Sequence, residues 1–330
     1  MRARLPRPGK RVLRGVGDDA AWVATSRQTL ATCDLLIENV HFIRDMILPR
    51  LLGRKSLSVN LSDIAAMGGI PDFAVLALGF PREIELEYVD EMLEGFLEVA
   101  AENKLEVIGG DTTAAPVLTI AVTVLGRPSP PGPVVRSGAR PGDDIWVTGT
   151  VGEASLGFEL LKKSRVQEPE ISDLHYSSLA VRHFDPTPRL QAGKKLAGIA
   201  HAMIDVSDGI LSDLARILEE SSGKTPLRGC LELEKIPLSR DFKKYFDDKP
   251  WQSEHGLGLA LTGGEDYELL FTAAPSQRRQ IKKLAGELDL EFSRIGRIER
   301  ARNLEIVLQN QKGQAVPLPK PWFEHFPEQE

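Results

Sequence analysis

The chain has 330 residues, 42% of them hydrophobic, which is material for two cores of ordinary size. Its 41 Lys and Arg face 47 Asp and Glu, a formal net charge of -6, and aromatics make up only 6%. That balance excludes a basic duplex-binding surface and leaves little for stacking single strands, so no nucleic acid partner is expected. Cys33 and Cys230 stand far apart and outside any metal-spacing motif, which reads as a reducing cytoplasm. No stretch approaches the roughly 20 apolar residues that span a bilayer, so no membrane association is expected.

The basic start, MRARLPRPGKR, is followed by no apolar segment and reads as a solvated tail. Residues 20–33 read as two short strands about a polar turn at Ser26 to Gln28, and Pro49 opens a helical pattern that runs to residue 67. A buried strand is predicted over 73–79. A helix follows over 86–103, with Val89, Met92, Leu93, Phe96, Leu97 and Ala100 on one face. Strands over 105–108 and 118–125 would flank a turn at Gly109-Gly110-Asp111. This alternation points to an α/β or α+β layer rather than a bundle.

Residues 126–133, rich in Pro and Gly, form the best linker, and they divide the chain into domains at 1–140 and 141–330. Beyond the linker the pattern predicts a strand over 144–148, helices over 152–163 and 188–196, a strand over 202–206 and a helix over 210–220. Strands over 257–261 and 267–272, a helix over 275–288 and a strand over 292–298 follow, with 167–178 and 241–254 as polar loops.

Acidic residues recur in short turns that carry Gly or Ser: Gly15-Val16-Gly17-Asp18-Asp19, Asn60-Leu61-Ser62-Asp63, Gly109-Gly110-Asp111-Thr112 and Asp205-Val206-Ser207-Asp208-Gly209, with Asp34 in Cys33-Asp34-Leu35-Leu36-Ile37-Glu38. Converging carboxylates stay charged only with cations between them, and an all-oxygen set without Cys or His partners suits magnesium, most often beside a phosphate. Each aspartate alone is more commonly a turn or N-cap residue, and Asp208 could simply cap the helix after it. The recurrence favours the joint reading, a magnesium-dependent enzyme acting on nucleotides.

Other motifs carry less. Gly15 to Ala20 fits a dinucleotide fingerprint, but a basic, Pro-containing segment precedes it instead of a strand. Ser222-Gly223-Lys224-Thr225 resembles the end of a phosphate loop, yet Leu218 stands where the first glycine belongs, so a helix C-terminus with Gly223 at C′ is the better reading. No histidine pair has zinc-hydrolase spacing. His41, seven residues after Asp34, is the one histidine kept as a candidate, although a histidine there is more often structural. Gly110 lets backbone N–H groups approach a phosphate, Ser207 offers a hydroxyl, Arg136 offers a fork, and Glu265 could pair with a cationic substrate.

Taken in order, GVGDDAA, CDLLIENVHF, SVNLSDIAAMGG, VIGGDTT, RSGARPGDDIWVTGTVGEASLG, IDVSDGILSDL and LTGGEDYELLF resemble the thiamine-monophosphate kinase family. Its superfamily also contains aminoimidazole ribonucleotide synthetase and selenophosphate synthetase. The resemblance runs from about residue 14 to 326, and the ordered string of motifs is highly specific. It implies ATP-dependent phosphorylation of thiamine monophosphate to thiamine diphosphate by direct in-line transfer, with several magnesium ions, in a homodimer. It also implies an N-terminal α/β half that binds ATP and magnesium and whose sheet pairs across the dimer, and a C-terminal α/β half that closes over the nucleotide.

Carried over by position, the resemblance implies Asp19, Thr32, Asp34, Asp63, Asp111 and Asp205 as metal ligands, with Asp208 holding a further magnesium. Asp111, Asp205 and Asp208 would be the catalytic acids. Gly110, Asp111, Arg136 and Ser207 would contact ATP, and His41, Glu265 and Phe323 would meet thiamine phosphate, an aromatic and a carboxylate suiting a flat cation. Cys33 replaces a usual Thr in the metal set, which leaves only its backbone carbonyl as a ligand, and Asn103 stands where an aromatic is expected near the adenine. Asp18 is read as shaping its turn. Alternatives are another ATP-dependent synthetase of the superfamily or a catalytically inactive binding regulator. A selenophosphate synthetase would need a reactive Cys in residues 1–17, which have none.

Overall fold

In the computed structural model, residues 9–14, 22–167, 178–223, 225–246 and 251–320 are described. The chain divides into two units, Met1–Ala65 with Gly69–Ser129, and Ala66–Gly68 with Pro130–Glu330.

The first unit is built on β3 (Leu30–Ile37), β4 (Gly69–Phe80), β5 (Glu106–Ala114) and β6 (Thr119–Pro128), in the order β3-β6-β4-β5. Only β4 and β5 are parallel, and α2 (Leu86–Glu102) makes the crossover between them. The helix buries Met92, Leu93, Phe96 and Ala100 of the face expected from the spacing, together with Val99, while Val89 and Leu97 are only partly buried. It lies against α1 (Pro49–Ala66) with backbones touching: a Cβ on Gly53 would overlap the Met92 carbonyl, and one on Gly95 would overlap that of Arg50. Ion pairs of Arg50 with Glu98 and Arg54 with Glu102 flank that crossing. The sheet is two-faced. Ile120, Val122 and Val124 of β6 are buried, while Thr119, Ala121, Thr123 and Leu125 between them are partly exposed, as is Leu35 of β3 at 47%. A short pair, β1 (Val12–Arg14) with β2 (Trp22–Val23), packs Val12 against Phe73 and Ile108.

The turn predicted at Gly109 to Asp111 is instead the middle of β5. Gly110 is there because the Leu76 carbonyl of β4 occupies the place of a Cβ, so the glycine marks close backbone packing and not a reversal.

The second unit has a sheet of seven strands in the order β13-β12-β9-β11-β7-β10-β8. They are β7 (Asp144–Thr148), β8 (Ala202–Asp205), β9 (Leu227–Glu232), β10 (Leu269–Ala273), β11 (Phe292–Arg300), β12 (Glu305–Gln309) and β13 (Ala315–Val316). All neighbours are antiparallel except β9 and β12. Its helices are α3 (Glu153–Gln167), α4 (Ser178–Phe184), α5 (Leu190–Leu196), α6 (Ile210–Ser221), α7 (Arg240–Tyr245), α8 (Glu254–Thr262) and α9 (Arg278–Leu288). β7, β8 and β10 are buried throughout. Ile145, Val147, Ile204, Leu214, Leu218, Leu259 and Leu270 belong to one core.

The strand predicted over 257–261 is α8. Its residues from Gly256 to Thr262 are all buried, so the apolar run has no period to reveal its geometry, and Ser253 caps it by accepting the Gly256 N–H at 3.3 Å. One supposed loop contains a helix: α7, capped by Ser239, takes up the first part of 241–254, while of the loop expected over 167–178 residues 168–177 lie outside the described residues. α6 ends as expected near Ser222, but Ser222 is extended and Gly223 shows no left-handed φ, so the anticipated glycine cap is not formed. Among the described residues, no helix is long and apolar enough to cross a membrane.

Candidate active site

In the first unit, α1 faces β3 with polar residues one turn apart. Asn60, fully buried, accepts the Asp34 N–H on its Oδ1 at 3.1 Å and donates its amide to the Ser56 carbonyl at 3.1 Å. Asp63 accepts a hydrogen bond from the Thr32 hydroxyl. Thr32 and Asp34 are two apart on β3 and so share a face. Burial pushes Asp34 up to about 6, and the neighbouring Asp63 charge pushes in the same direction. Two crowded carboxylates and a hydroxyl make a hard oxygen set, which fits magnesium, since a divalent cation would offset the repulsion. The Cys33 side chain lies exposed on the opposite face, so its thiol does not join Thr32 and Asp34. Asp111 is exposed on β5, an edge strand, and accepts the Thr112 N–H at 2.8 Å. His41 folds back on the end of β3, its Nδ1 accepting the Ile37 N–H at 3.1 Å. Asn103 closes α2, donating to the Val99 carbonyl at 2.9 Å.

In the second unit, β8 delivers the buried Asp205 to a turn that runs through Ser207 and Asp208 into α6. Asp208 does not cap that helix: the N-cap is Gly209 and no side chain fills the role. The work is done in reverse by Asp213, fully buried in the first turn, whose Oδ2 accepts the N–H groups of Ser207 and Asp208, each at 3.1 Å. Arg216 bridges Asp213 and Asp208. Burial, reinforced by the Asp208 charge, pushes Asp213 up to about 7. Arg136 is exposed, and its carbonyl accepts from Ser221 at 3.4 Å.

The Gly263 to Glu268 loop is stitched to the same turn. The Glu265 N–H donates to the Ser207 carbonyl at 2.8 Å, the Tyr267 N–H to the Val206 carbonyl at 2.9 Å, and the Val206 N–H to the Glu268 carbonyl at 2.8 Å. Glu265 (φ 59) and Tyr267 (φ 50) are left-handed, a region non-glycine residues rarely adopt. Two buried carboxylates hold them there. Asp266 accepts the Gly152 N–H on both oxygens, at 3.0 and 2.9 Å, and Glu268 accepts from Thr148 Oγ1 at 2.6 Å, Arg182 Nη2 at 2.8 Å and Arg189 Nε at 2.7 Å. Burial pushes Asp266 up to about 8.

Of the residues singled out in the sequence, the structure brings Thr32, Asp34 and Asp63 together in one unit and Asp205, Ser207, Asp208 and Glu265 in the other. Asp18, Asp19 and Phe323 lie outside the described residues. Among the described residues, no three His, Cys, Asp or Glu side chains are grouped to hold a metal ion. Sequence reasoning passed over Asp213, Arg182, His183 and Arg189. The signal for Asp213 was its place five residues after Asp208 in IDVSDGILSD, while the others had none short of the fold.

Residues 17–127 match the AIR synthase related protein, N-terminal domain, and residues 140–309 match the AIR synthase related protein, C-terminal domain. The chain is 36% identical over 319 residues to the thiamine-monophosphate kinase of Salmonella typhimurium, covering 94% of this chain and 91% of the relative. Its fold superposes on the crystal structure of thiamine-monophosphate kinase from Stenotrophomonas maltophilia K279a with a TM-score of 0.80, at 35% identity and 93% coverage of each chain. It also superposes on AaThiL complexed with AMPPCP and TMP with a TM-score of 0.75, at 33% identity, covering 90% of this chain and 87% of that one.

Proposed function

The chain belongs to the thiamine-monophosphate kinase family, and we propose on that premise which of its residues carry the ATP-dependent phosphorylation of thiamine monophosphate to thiamine diphosphate. In the first unit Thr32, Asp34 and Asp63, with Asp19, the Cys33 carbonyl and Asp111, would hold magnesium. In the second, Asp205 and Asp208 would do so. Bound magnesium supplies charge neutralisation at phosphate oxygens.

Gly110, on an edge strand, leaves its backbone open to a nucleotide phosphate; Asp111, Arg136 and the Ser207 hydroxyl would complete the ATP contacts. His41, Glu265 and Phe323 would receive thiamine phosphate, Glu265 opposite the cationic thiazolium. No side chain need remove a proton, because the acceptor is already an anionic phosphate oxygen. The protein's task is positioning for direct in-line transfer, and Asp111, Asp205 and Asp208 are the acids to which that role is assigned. The observation that carries this reading is the 2.8 Å hydrogen bond from the Glu265 N–H to the Ser207 carbonyl. Through it, the turn assigned to nucleotide and metal and the loop assigned to thiamine form one hydrogen-bonded piece.

A homodimer is supported by the partly exposed face of the first unit's sheet, where Leu35 and Ala121 lie. Sedimentation should give twice the chain mass. A cytoplasmic site of action is consistent with the free Cys33 and Cys230. The direct test is ADP release by purified protein with ATP and magnesium. Turnover with thiamine monophosphate, none with thiamine, and loss on chelation are expected; equal turnover with thiamine refutes the acceptor assignment.

A further inference from the structure

One arginine of α6 stands between two aspartates of unequal freedom. Arg216 donates from Nη1 to Oδ1 of Asp213 at 2.6 Å and from Nη2 to Oδ2 of Asp208. Asp213 is fully buried and both its oxygens are committed, Oδ2 to the Ser207 and Asp208 N–H groups and Oδ1 to the guanidinium. Asp208 keeps 33% of its side chain exposed and gives Arg216 only Oδ2.

A buried carboxylate stripped of its cation is costly, so Asp213 keeps the guanidinium where it is. Asp208 can offer its second oxygen to a cation from solution, and Arg216 cannot follow it away. A magnesium ion on that oxygen, bonded at about 2.1 Å, would stand about 5 Å from a fixed positive charge. Two opposed effects then act on the metal. Holding the Asp208 carboxylate still favours binding by about threefold, the entropy of one short side chain. The charge of Arg216 opposes it: even at the dielectric constant of water, a unit charge about 5 Å from a divalent ion weakens its binding roughly tenfold. The charge therefore wins. Phosphates reverse the balance, because metal and guanidinium both attract them.

We propose that Arg216 makes magnesium binding at Asp208 depend on the nucleotide: anchored by Asp213, it keeps Asp208 from holding the cation alone and lets it do so once nucleotide phosphates are present. The inference rests on the reading of Asp208 as a magnesium ligand. The bland alternative makes Arg216 a purely structural neutraliser of two acids, whose loss lowers Tm and leaves metal binding where it was.

The test titrates Mn2+, a paramagnetic stand-in for magnesium, into the full chain with and without a saturating non-hydrolysable ATP analogue, the free ion being read by electron paramagnetic resonance. Arg216→Gln removes the charge and keeps a donor for Asp213. Without nucleotide it should bind one Mn2+ ion about tenfold more tightly than wild type, and with the analogue the two should agree within about threefold. Arg216→Lys keeps the charge and should stay within about threefold of wild type in both conditions. Adding Asp208→Asn to Arg216→Gln should abolish the tightened ion. Unchanged or weaker Mn2+ binding by Arg216→Gln without nucleotide overturns the proposal, as does a gain that persists undiminished with the analogue or survives Asp208→Asn. Should Arg216→Gln fail to fold, Arg216→Ala, which admits water to both carboxylates, carries the same expectations. If Asp208→Asn alone leaves the Mn2+ dependence of analogue binding unchanged, the reading of Asp208 fails and the inference goes with it. If Asp208→Asn weakens that dependence and neither neutral variant tightens an ion, only the inference fails.

Discussion

Glu268→Gln removes one charge from a site built around it. The native carboxylate is 0% exposed and accepts from Thr148, Arg182 and Arg189, whose side chains keep 21% (Arg182) and 18% (Arg189) of their surface. The glutamine keeps the shape and one acceptor oxygen, but its amide hydrogens face a guanidinium. Arg189 then loses its carboxylate, and Arg182 keeps only Glu153, at 3.6 Å. Removing one partner of a buried ion pair costs about 3–5 kcal/mol, and because both arginines retain some water the lower end applies, about 3 kcal/mol. For a folding unit of this size that corresponds to a fall of roughly 6–12 °C in Tm. Urea unfolding followed by tryptophan fluorescence reads it, since Trp146 is buried on β7, the strand that also carries Thr148. A loss below about 1 kcal/mol would mean that water screens the arginines well enough to make Glu268 dispensable, and its anchoring role would have to be abandoned.

Neighbouring glycines should part company: Gly110→Ala drives a methyl into the Leu76 carbonyl and should cost about 2–3 kcal/mol in urea melts, whereas Gly109→Ala, with open space at its Cβ, should stay within about 1 kcal/mol of native. Asp213→Ala strips the acceptor from the Ser207 and Asp208 N–H groups and the partner from Arg216; a loss of about 2–3 kcal/mol is expected, together with a raised KM for ATP, and an unchanged KM would separate the turn from nucleotide binding. Burial pushes Asp266 up to about 8 from an ordinary 3.8, with the Glu268 charge adding to it and the Gly152 N–H and Arg182 opposing it. A carboxyl raised on folding contributes stability that is fully present below its unfolded value and lost as pH rises through the folded one. Wild type should therefore lose stability relative to Asp266→Asn between pH 4 and 8, and a flat difference across that window would show the group ionised throughout.

What could be read in advance follows from where each residue's partner lies. α1 and α2 were legible because one apolar face and a Pro at N1 are local signals, and Asp34, Asp63, Asp205 and Asp208 stood out because their turn motifs are local too. α8 was misread because burial on every side erases periodicity, and β9 (LRGCLE) went unseen because its strand character comes from β11 and β12 on either side. Glu268 carried no signal of its anchoring role because Thr148 and Arg189 are 120 and 79 residues away.

The carboxylates of the second unit separate by environment into two kinds that their sequence neighbourhoods do not distinguish. Asp213, Asp266 and Glu268 are buried and spent on backbone N–H groups or arginines, so each holds a segment of chain in place. Glu265 and Asp208 keep part of their surface and stand at the ends of what the others hold. A buried carboxylate is costly unless fully bonded, and once fully bonded it cannot turn to a ligand. Neutralising an anchoring acid should therefore appear first in stability, and neutralising Glu265 or Asp208 first in substrate or metal dependence with the melt little changed. Glu265→Gln and Glu268→Gln test that division between residues three apart in one loop. Equal Tm losses for the two would erase it.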